Sequence, residues 1–279
     1  MSLSTVRTAK GGNAPELRPL IVRYDEPRSL AGQLRQDQIA PAPKARGRRT
    51  DGVAQEATVE QEAIAETGGF HAVFRIPGRI SIGASEGAKS FRVATATLAP
   101  DLLVRAAPAL DETAYLEATF KHAEDAPLLP GRIALYRDGI YVGRGTMAPT
   151  AKDESVRLGF GADDKVKIAR TMVRRNQASA GIISSSKIDE REYKITVRNG
   201  HDSAIRVTVE DQLPVSEVAE VAVELLPATT SPSERDVRDR RGVLAWTYEV
   251  AAGDLRDIRL AWRVRWPADK SVVYDGGRS

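Results

Sequence analysis

From Phe70 to Trp266 the chain is a succession of short segments in which apolar and polar residues alternate. FHAVFRI (70–76) is closed by Pro77-Gly78 and continues as RISI (79–82). AKSFRVATATL (88–98), LLVRAAPAL (102–110) and TAYLEATFKH (113–122) follow. After them come ESVRLGF (154–160), DKVKIARTMVRR (164–175), REYKITVRNG (191–200), SAIRVTVEDQLP (203–214) and VAEVAVELL (218–226). GVLAWTYEVAAG (242–253) and LRDIRLAWRVRW (255–266) complete the series. A period of two is that of a strand with one face buried. Many such runs between turn residues predict an all-β fold, an antiparallel sandwich-like structure with room for two β subdomains. HAEDAPLLPG (122–131) interrupts the pattern and places the break between Ala123 and Pro130.

Two hairpins are predicted. Ile195 and Val197 alternate with Lys194 and Arg198, and beyond Asn199-Gly200 the apolar Ile205, Val207 and Val209 resume. Trp246, Tyr248 and Val250 precede AAGDLRD, after which Ile258, Leu260, Trp262 and Val264 alternate with charged residues and Ala261. Residues 1–67 read differently. LRPLIVRYD (17–25) is a short strand, residues 37–52 are an exposed, mobile basic linker, and VAQEATVEQEAIAE (53–66) is a short helix ended by Thr67-Gly-Gly. The expected organisation is therefore 1–67, a first β part over 68–127 and a second over 128–279.

GRIALYRDGIYVGRG (131–145) carries enough glycine to suggest a phosphate loop. A P-loop needs Gly-Lys followed by Ser or Thr, and a dinucleotide loop needs a third glycine before a helix. Neither follows Gly145. Asp138-Gly139 lies between two strand-like flanks instead, and that pair favours a type I′ turn, which needs positive φ at both central residues.

Composition narrows the chemistry. The 279 residues hold no cysteine, which excludes disulfides, thiolate catalysis and cysteine-ligated zinc. A net charge of +3, from 41 basic and 38 acidic residues, is too balanced to imply a nucleic-acid partner. No run approaches the about 20 apolar residues of a transmembrane helix, so no transmembrane segment is expected. His71, His122 and His201 are scattered and form no metal-ligand motif, and Ser184, Ser185 and Ser186 lack the setting of a nucleophile. No catalytic residue, metal or cofactor is assigned.

The polar candidates are Arg137 and Asp138 at the turn, Arg174 and Arg175 at the end of a strand, and Asp211. Asp163 and His201 also stand near turns. Asp has a local reason to be there, and His201 reads as an isolated turn histidine that can be exchanged cheaply. Arginines on the polar positions could hold an acidic polymer, or pair with Glu190, Glu192 and Glu210 on a solvated sheet face. The second is favoured. Alternation assigns Trp246 and Trp262 to a core face. Trp266, at a strand end before Pro267, is the candidate for stacking on a ligand, with Tyr136 and Tyr141 also available.

LPGRIALYRDGIYVGRG, VRLGFGADDKVKIARTMVRR, IDEREYKITVRNGHDSAIRVTVEDQLPVSE and GVLAWTYEV with IRLAWRVRWP occur in a distinctive order. Together they resemble the C-terminal domain of the mucoidy-inhibitor A-like proteins, domain of unknown function 4139. The resemblance runs from about Phe70 to Pro267, with LSTVRTA and LRPLIVRYD matching an earlier, separated part. It implies a truncated bacterial protein whose longer relatives carry a preceding β domain and a coiled coil. It implies the periplasm or cell envelope, with the cytoplasm as the alternative, and supplies no catalytic residues. The leading functional expectation is a non-enzymatic, envelope-associated scaffold or interaction domain that binds a protein partner or itself. The alternatives are a module with weak affinity for an acidic glycan or polyanion, and a hydrolase whose polar residues converge only in the folded state.

Overall fold

The computed structural model describes residues 12–25, 64–68, 71–75, 95–179 and 186–276. Contacts divide the chain into two compact units, one of Met1–Asp25, Ala99–Ala123 and Leu128–Ser279, the other of Glu26–Leu98 and Glu124–Pro127. In the second unit, β2 (Ile64–Gly68) and β3 (His71–Arg75) form an antiparallel pair, in register from Ile64↔Arg75 to Gly68↔His71. His71 to Arg75 of FHAVFRI are thus strand, as the alternation predicts. The expected helix over 53–66 fails where it can be seen, since Ile64 to Glu66 are strand. Helix propensity is a weak prior, and pairing with β3 overrides it here. Residues 53–63, the basic linker, RISI and 88–94 lie outside the described residues, and 95–98 have no regular structure.

The first unit is almost all strand. It contains β1 (Leu20–Tyr24), β4 (Asp101–Ala107), β5 (Asp111–Lys121), β6 (Gly131–Arg137), β7 (Ile140–Met147), β8 (Ser155–Ser179) and β9 (Ser186–Asn199). The rest are β10 (Ile205–Gln212), β11 (Pro214–Ser216), β12 (Ala222–Leu225), β13 (Glu234–Arg235), β14 (Val243–Val250), β15 (Leu255–Pro267) and β16 (Val272–Asp275). Nine of them pair in the order β12-β15-β9-β8-β5-β4-β10-β14-β13, while β11-β1-β16 and β6-β7 form smaller sheets. Every pairing is antiparallel except β4–β10 and β1–β11.

The sandwich-like arrangement depends on β8. Two predicted strands, 154–160 and 164–175, are one strand of 25 residues. Its first half pairs with β5, from Lys121↔Ser155 to Thr113↔Lys167. Its second half pairs with β9, from Val166↔Asn199 to Ser179↔Lys187. The sheet turns over along this strand into two layers, one of β12, β15, β9 and the end of β8, the other of its start with β5, β4, β10, β14 and β13. Their apolar faces form one core around Trp246 and Trp262, with Ile195, Val197, Val207, Val209, Ile258 and Leu260. Val22 of β1 joins the same core. The alternation of these residues is therefore the pattern of two facing layers.

Neither predicted hairpin is one. β9 pairs with β8 and β15, whereas β10 pairs with β4 and β14. Likewise β14 pairs with β10 and β13, and β15 with β9 and β12. Both short connections cross from one layer to the other. Alternation is identical in the two cases, because a hairpin and a crossing each point their apolar residues at the same core.

Asn199 joins the crossings. Its side chain is fully buried. Nδ2 lies 2.9 Å from Ser203 O, 3.0 Å from Val250 O and 3.0 Å from Ala251 O, while Oδ1 accepts from His201 N at 2.8 Å. The backbone NH of Asn199 donates to Asp254 O at 2.9 Å. Gly200 N then donates to Lys165 O, and a Cβ at Gly200 would sit 2.6 Å from that oxygen, so the approach requires glycine. Asn199→Ala leaves carbonyls of both crossings without their partner, and we expect a loss of about 3 kcal/mol. Urea unfolding would measure it, and a loss below about 0.5 kcal/mol would show that the clamp contributes nothing.

Candidate functional site

The Asp138-Gly139 turn has the backbone its sequence predicts, with φ of 52° and 76°. It closes the β6–β7 hairpin between Arg137↔Ile140, and Arg137 Nη1 reaches Ala162 O of β8 at 3.5 Å. The hairpin tip thereby borders an open cleft of about 570 Å³. Leu102, Leu103 and Leu116 give the cleft an apolar wall, and Asp163, Lys165 and His201 line its polar side.

Asp163 stands where β8 passes from one pairing partner to the other. The register against β5 is irregular between Thr113 and Tyr115, and Gly161 takes φ 81°. Such irregularities re-aim side chains out of the regular alternation. Asp163 is 5% exposed, and its Oδ2 lies 2.8 Å from His201 Nε2. Its Oδ1 accepts from Lys165 N at 3.3 Å. His201 is set by the layer crossing, since its own NH is bound to Asn199. With Nε2 directed at Asp163, Nδ1 is the ring nitrogen left to meet a ligand, as an acceptor when neutral or a donor when protonated. Arg206, also on the cleft, is ion-paired to Asp101. Among the described residues no three His, Asp or Glu side chains are grouped as metal ligands.

Of the sequence candidates, the fold brings together Arg137, Asp138, Asp163 and His201. It places the others elsewhere. Arg174 and Arg175 are exposed on the far half of β8, opposite Glu192 and Arg191, with Arg175 Nε 4.0 Å from Asp189 Oδ1. Asp211 is not a surface group. It is fully buried and held by Arg170, at 2.6 Å from Nε and 3.3 Å from Nη2. Burial works against the Arg170 charge, but Asp211 and Tyr193 outweigh it and raise its pKa above the usual arginine value. Trp266 is not a stacking platform either. It is 9% exposed, and Nε1 donates to Lys270 O at 3.2 Å, because the turn into β16 folds back over the strand end.

The solvated arginine face is only partly present. Arg263 pairs with Glu190, and Arg259 lies 3.7 Å from Glu192. Glu210, however, is 2% exposed and receives Arg105, Arg238 and Arg240. These arginines, like Lys165 and the leucine wall, escape sequence reasoning. Their one signal is the acidic pair Glu210-Asp211, which breaks the polar-apolar alternation of β10.

His201 is not the isolated turn residue its sequence context suggests, since its removal takes the imidazole partner from Oδ2 of a buried carboxylate and leaves only the Lys165 N contact at Oδ1. We expect His201→Ala to cost about 1–2 kcal/mol. A double-mutant cycle with Asp163→Ala should give a coupling of about 1 kcal/mol, and additive losses would show that the contact contributes nothing.

No solved structure matches this chain, and no described helix is long and apolar enough to cross a membrane. A curated relative, Protein F37C4.5 of Caenorhabditis elegans, is 22% identical over 176 residues, covering 60% of this chain and 32% of that protein. The chain thus matches about a third of the length of that relative. The family model described as Domain of unknown function (DUF4139) matches residues 1–268. With nearly the whole chain inside that match, and with every strand but β16, the Asp-Gly turn and the layer crossings falling within it, the chain belongs to the DUF4139 family.

Proposed function

We propose that this domain is a non-enzymatic interaction module that receives a protein partner on the β6–β7 hairpin beside the cleft. One observation carries the reading. The large sheet ends in β12 and β13, strands of four and two residues, which leave little edge to pair. The hairpin strands have seven and eight residues and form a sheet of their own. Tyr136, Ile140 and Tyr141 on them are 59%, 42% and 37% exposed. An unpaired strand edge supplies main-chain hydrogen bonds to an added strand, and exposed aromatic side chains supply contact area at little entropic cost. The leucine wall of the cleft offers the added segment a place to bury an apolar side chain.

A photo-crosslinking amino acid at Ile140 of the full-length protein, in the cells that make it, tests the proposal. A discrete protein adduct should form there and disappear when Tyr136 and Tyr141 are both changed to Ser. A crosslinker at Arg259, exposed on β15, is the control. Equal adducts at both positions, or none at Ile140, would rule out the hairpin as the docking edge.

A further inference from the structure

The large sheet lacks a strand at one place inside its order. β8 is lined on one side by β5 only as far as Thr113↔Lys167, and on the other by β9 from Val166 to Ser179. Beyond Lys167 the lane that β5 would continue holds no strand among the described residues. Glu112 closes its inner end, since Glu112 Oε1 accepts from Arg170 N at 2.6 Å. From 171 to 178 every residue of β8 is exposed except the half-buried Asn176. Side chains on both faces therefore stand in solvent, with Met172 45% and Val173 51% exposed among them. A strand paired along one edge only keeps a row of backbone donors and acceptors open along the other.

The same stretch is one-sided in charge. Lys165, Lys167, Arg170, Arg174, Arg175 and Lys187 fall between Asp164 and Asp189, and no Asp or Glu does, in a chain with 41 basic and 38 acidic residues. Arg170 is held by Asp211. Arg174 has no ion pair among the described residues. Arg175 Nε stands 4.0 Å from Asp189 Oδ1, while Arg191 binds the other oxygen of Asp189 at 2.8 and 3.1 Å. Glu190 and Glu192 belong to β9, on the side of β8 away from the lane, and face Arg263 and Arg259. A strand in the lane would have Arg174 and Arg175 as cross-strand neighbours at about 5 Å, with those glutamates one strand further off, at about 10 Å.

We propose that the open edge of β8, residues 171–178, binds an acidic extended segment of a partner protein, which adds as a strand in line with β5 and sets carboxylates against Arg174 and Arg175. Main-chain hydrogen bonds hold such a strand, and the arginines select its charge. A second copy of this chain does not suit the edge. Two-fold pairing would gather Arg174 and Arg175 of both copies in one short ladder with no carboxylate between them. The register shift between Met172 and Arg174 adds a bend that keeps like edges apart. The edge shares no residue with the β6–β7 hairpin.

The methionine methyl signals of the whole chain test the proposal, because Met172 lies on this edge and Met147 on the hairpin. Met172→Leu assigns the Met172 signal. Two blocked peptides of alternating threonine and valine are then titrated, one with two adjacent glutamates at its centre and the other with two lysines there. The glutamate peptide should move the Met172 signal saturably and leave Met147 in place, and the lysine peptide should move neither. A response at Met147 alone would overturn the proposal and leave the hairpin standing as the docking edge. Arg174→Glu should weaken the glutamate peptide at least about fivefold, since it removes one attraction and adds a repulsion. If that variant does not fold, raising the salt from about 20 to about 200 mM should weaken binding to the unaltered chain. Equal binding of both peptides, binding of neither, or an affinity indifferent to Arg174 and to salt would overturn the proposal. So would a Met172 signal that moves with protein concentration alone as dimers appear in sedimentation, which would make a second copy the occupant.

Discussion

Four hydrogen bonds converge on the side chain of Asn199, and through them two crossings between layers become one structure. Each crossing brings the chain out of one layer of the folded sheet and into the other within a few residues, which leaves carbonyls at the bend with no strand to bond. A carboxamide offers two donors and an acceptor in a fixed plane, and here all of them are used on backbone. Aspartate has the shape but not the donors. The same residue sets His201 over Asp163, so the cleft takes its geometry from the clamp that holds the layers.

A second set of constraints is ionic. Glu210 lies inside the fold with three arginines, and two of these, Arg238 and Arg240, come from a loop with unusual backbone. Asp236, Arg238 and Asp239 there have φ of 51°, 54° and 60°. Left-handed backbone costs about 1 kcal/mol or more for a residue with a side chain. The bonds to Glu210, and that from Gly242 N to Asp236 Oδ1 at 2.7 Å, offset it. Removal of Glu210 would leave three guanidinium groups short of a partner, whereas exchange of the whole cluster for apolar residues is a different matter, because desolvation opposes every buried ion pair.

Much of the fold was legible in alternation. The strand at Leu20–Tyr24, the strands β4, β5, β6, β7, β9, β10, β14 and β15 and the Asp138-Gly139 turn stand where the pattern places them, and Trp246 and Trp262 are core, whereas β13 and β16 carry no such signal. Connectivity was not legible. The periods of β9 and β10 fit a hairpin and a layer crossing equally well, and what decides between them is which strands lie beside them, some of them far away in sequence, such as β4 beside β10 and β15 beside β9. The register shift between Met172 and Arg174 is set by pairing with β9, and no single strand records it. The cleft was half visible, since Asp138, Asp163 and His201 were singled out as turn residues, but Lys165, Arg206 and the leucine wall reach it only through the sheet order.

The pairing of β1 with β16 bears on how the domain responds to tension. The strands are antiparallel, with Ile21 opposite Asp275 and Tyr24 opposite Val272. The leading end of β1 therefore lies beside the trailing end of β16. A pull applied through the segments flanking residues 20 and 275 loads this seam from one end, so its bonds open in turn, as in a zipper, and never share the load as they would in shear. In a single-molecule stretching record this seam would give way first and at low force, ahead of the layers that β8 ties together.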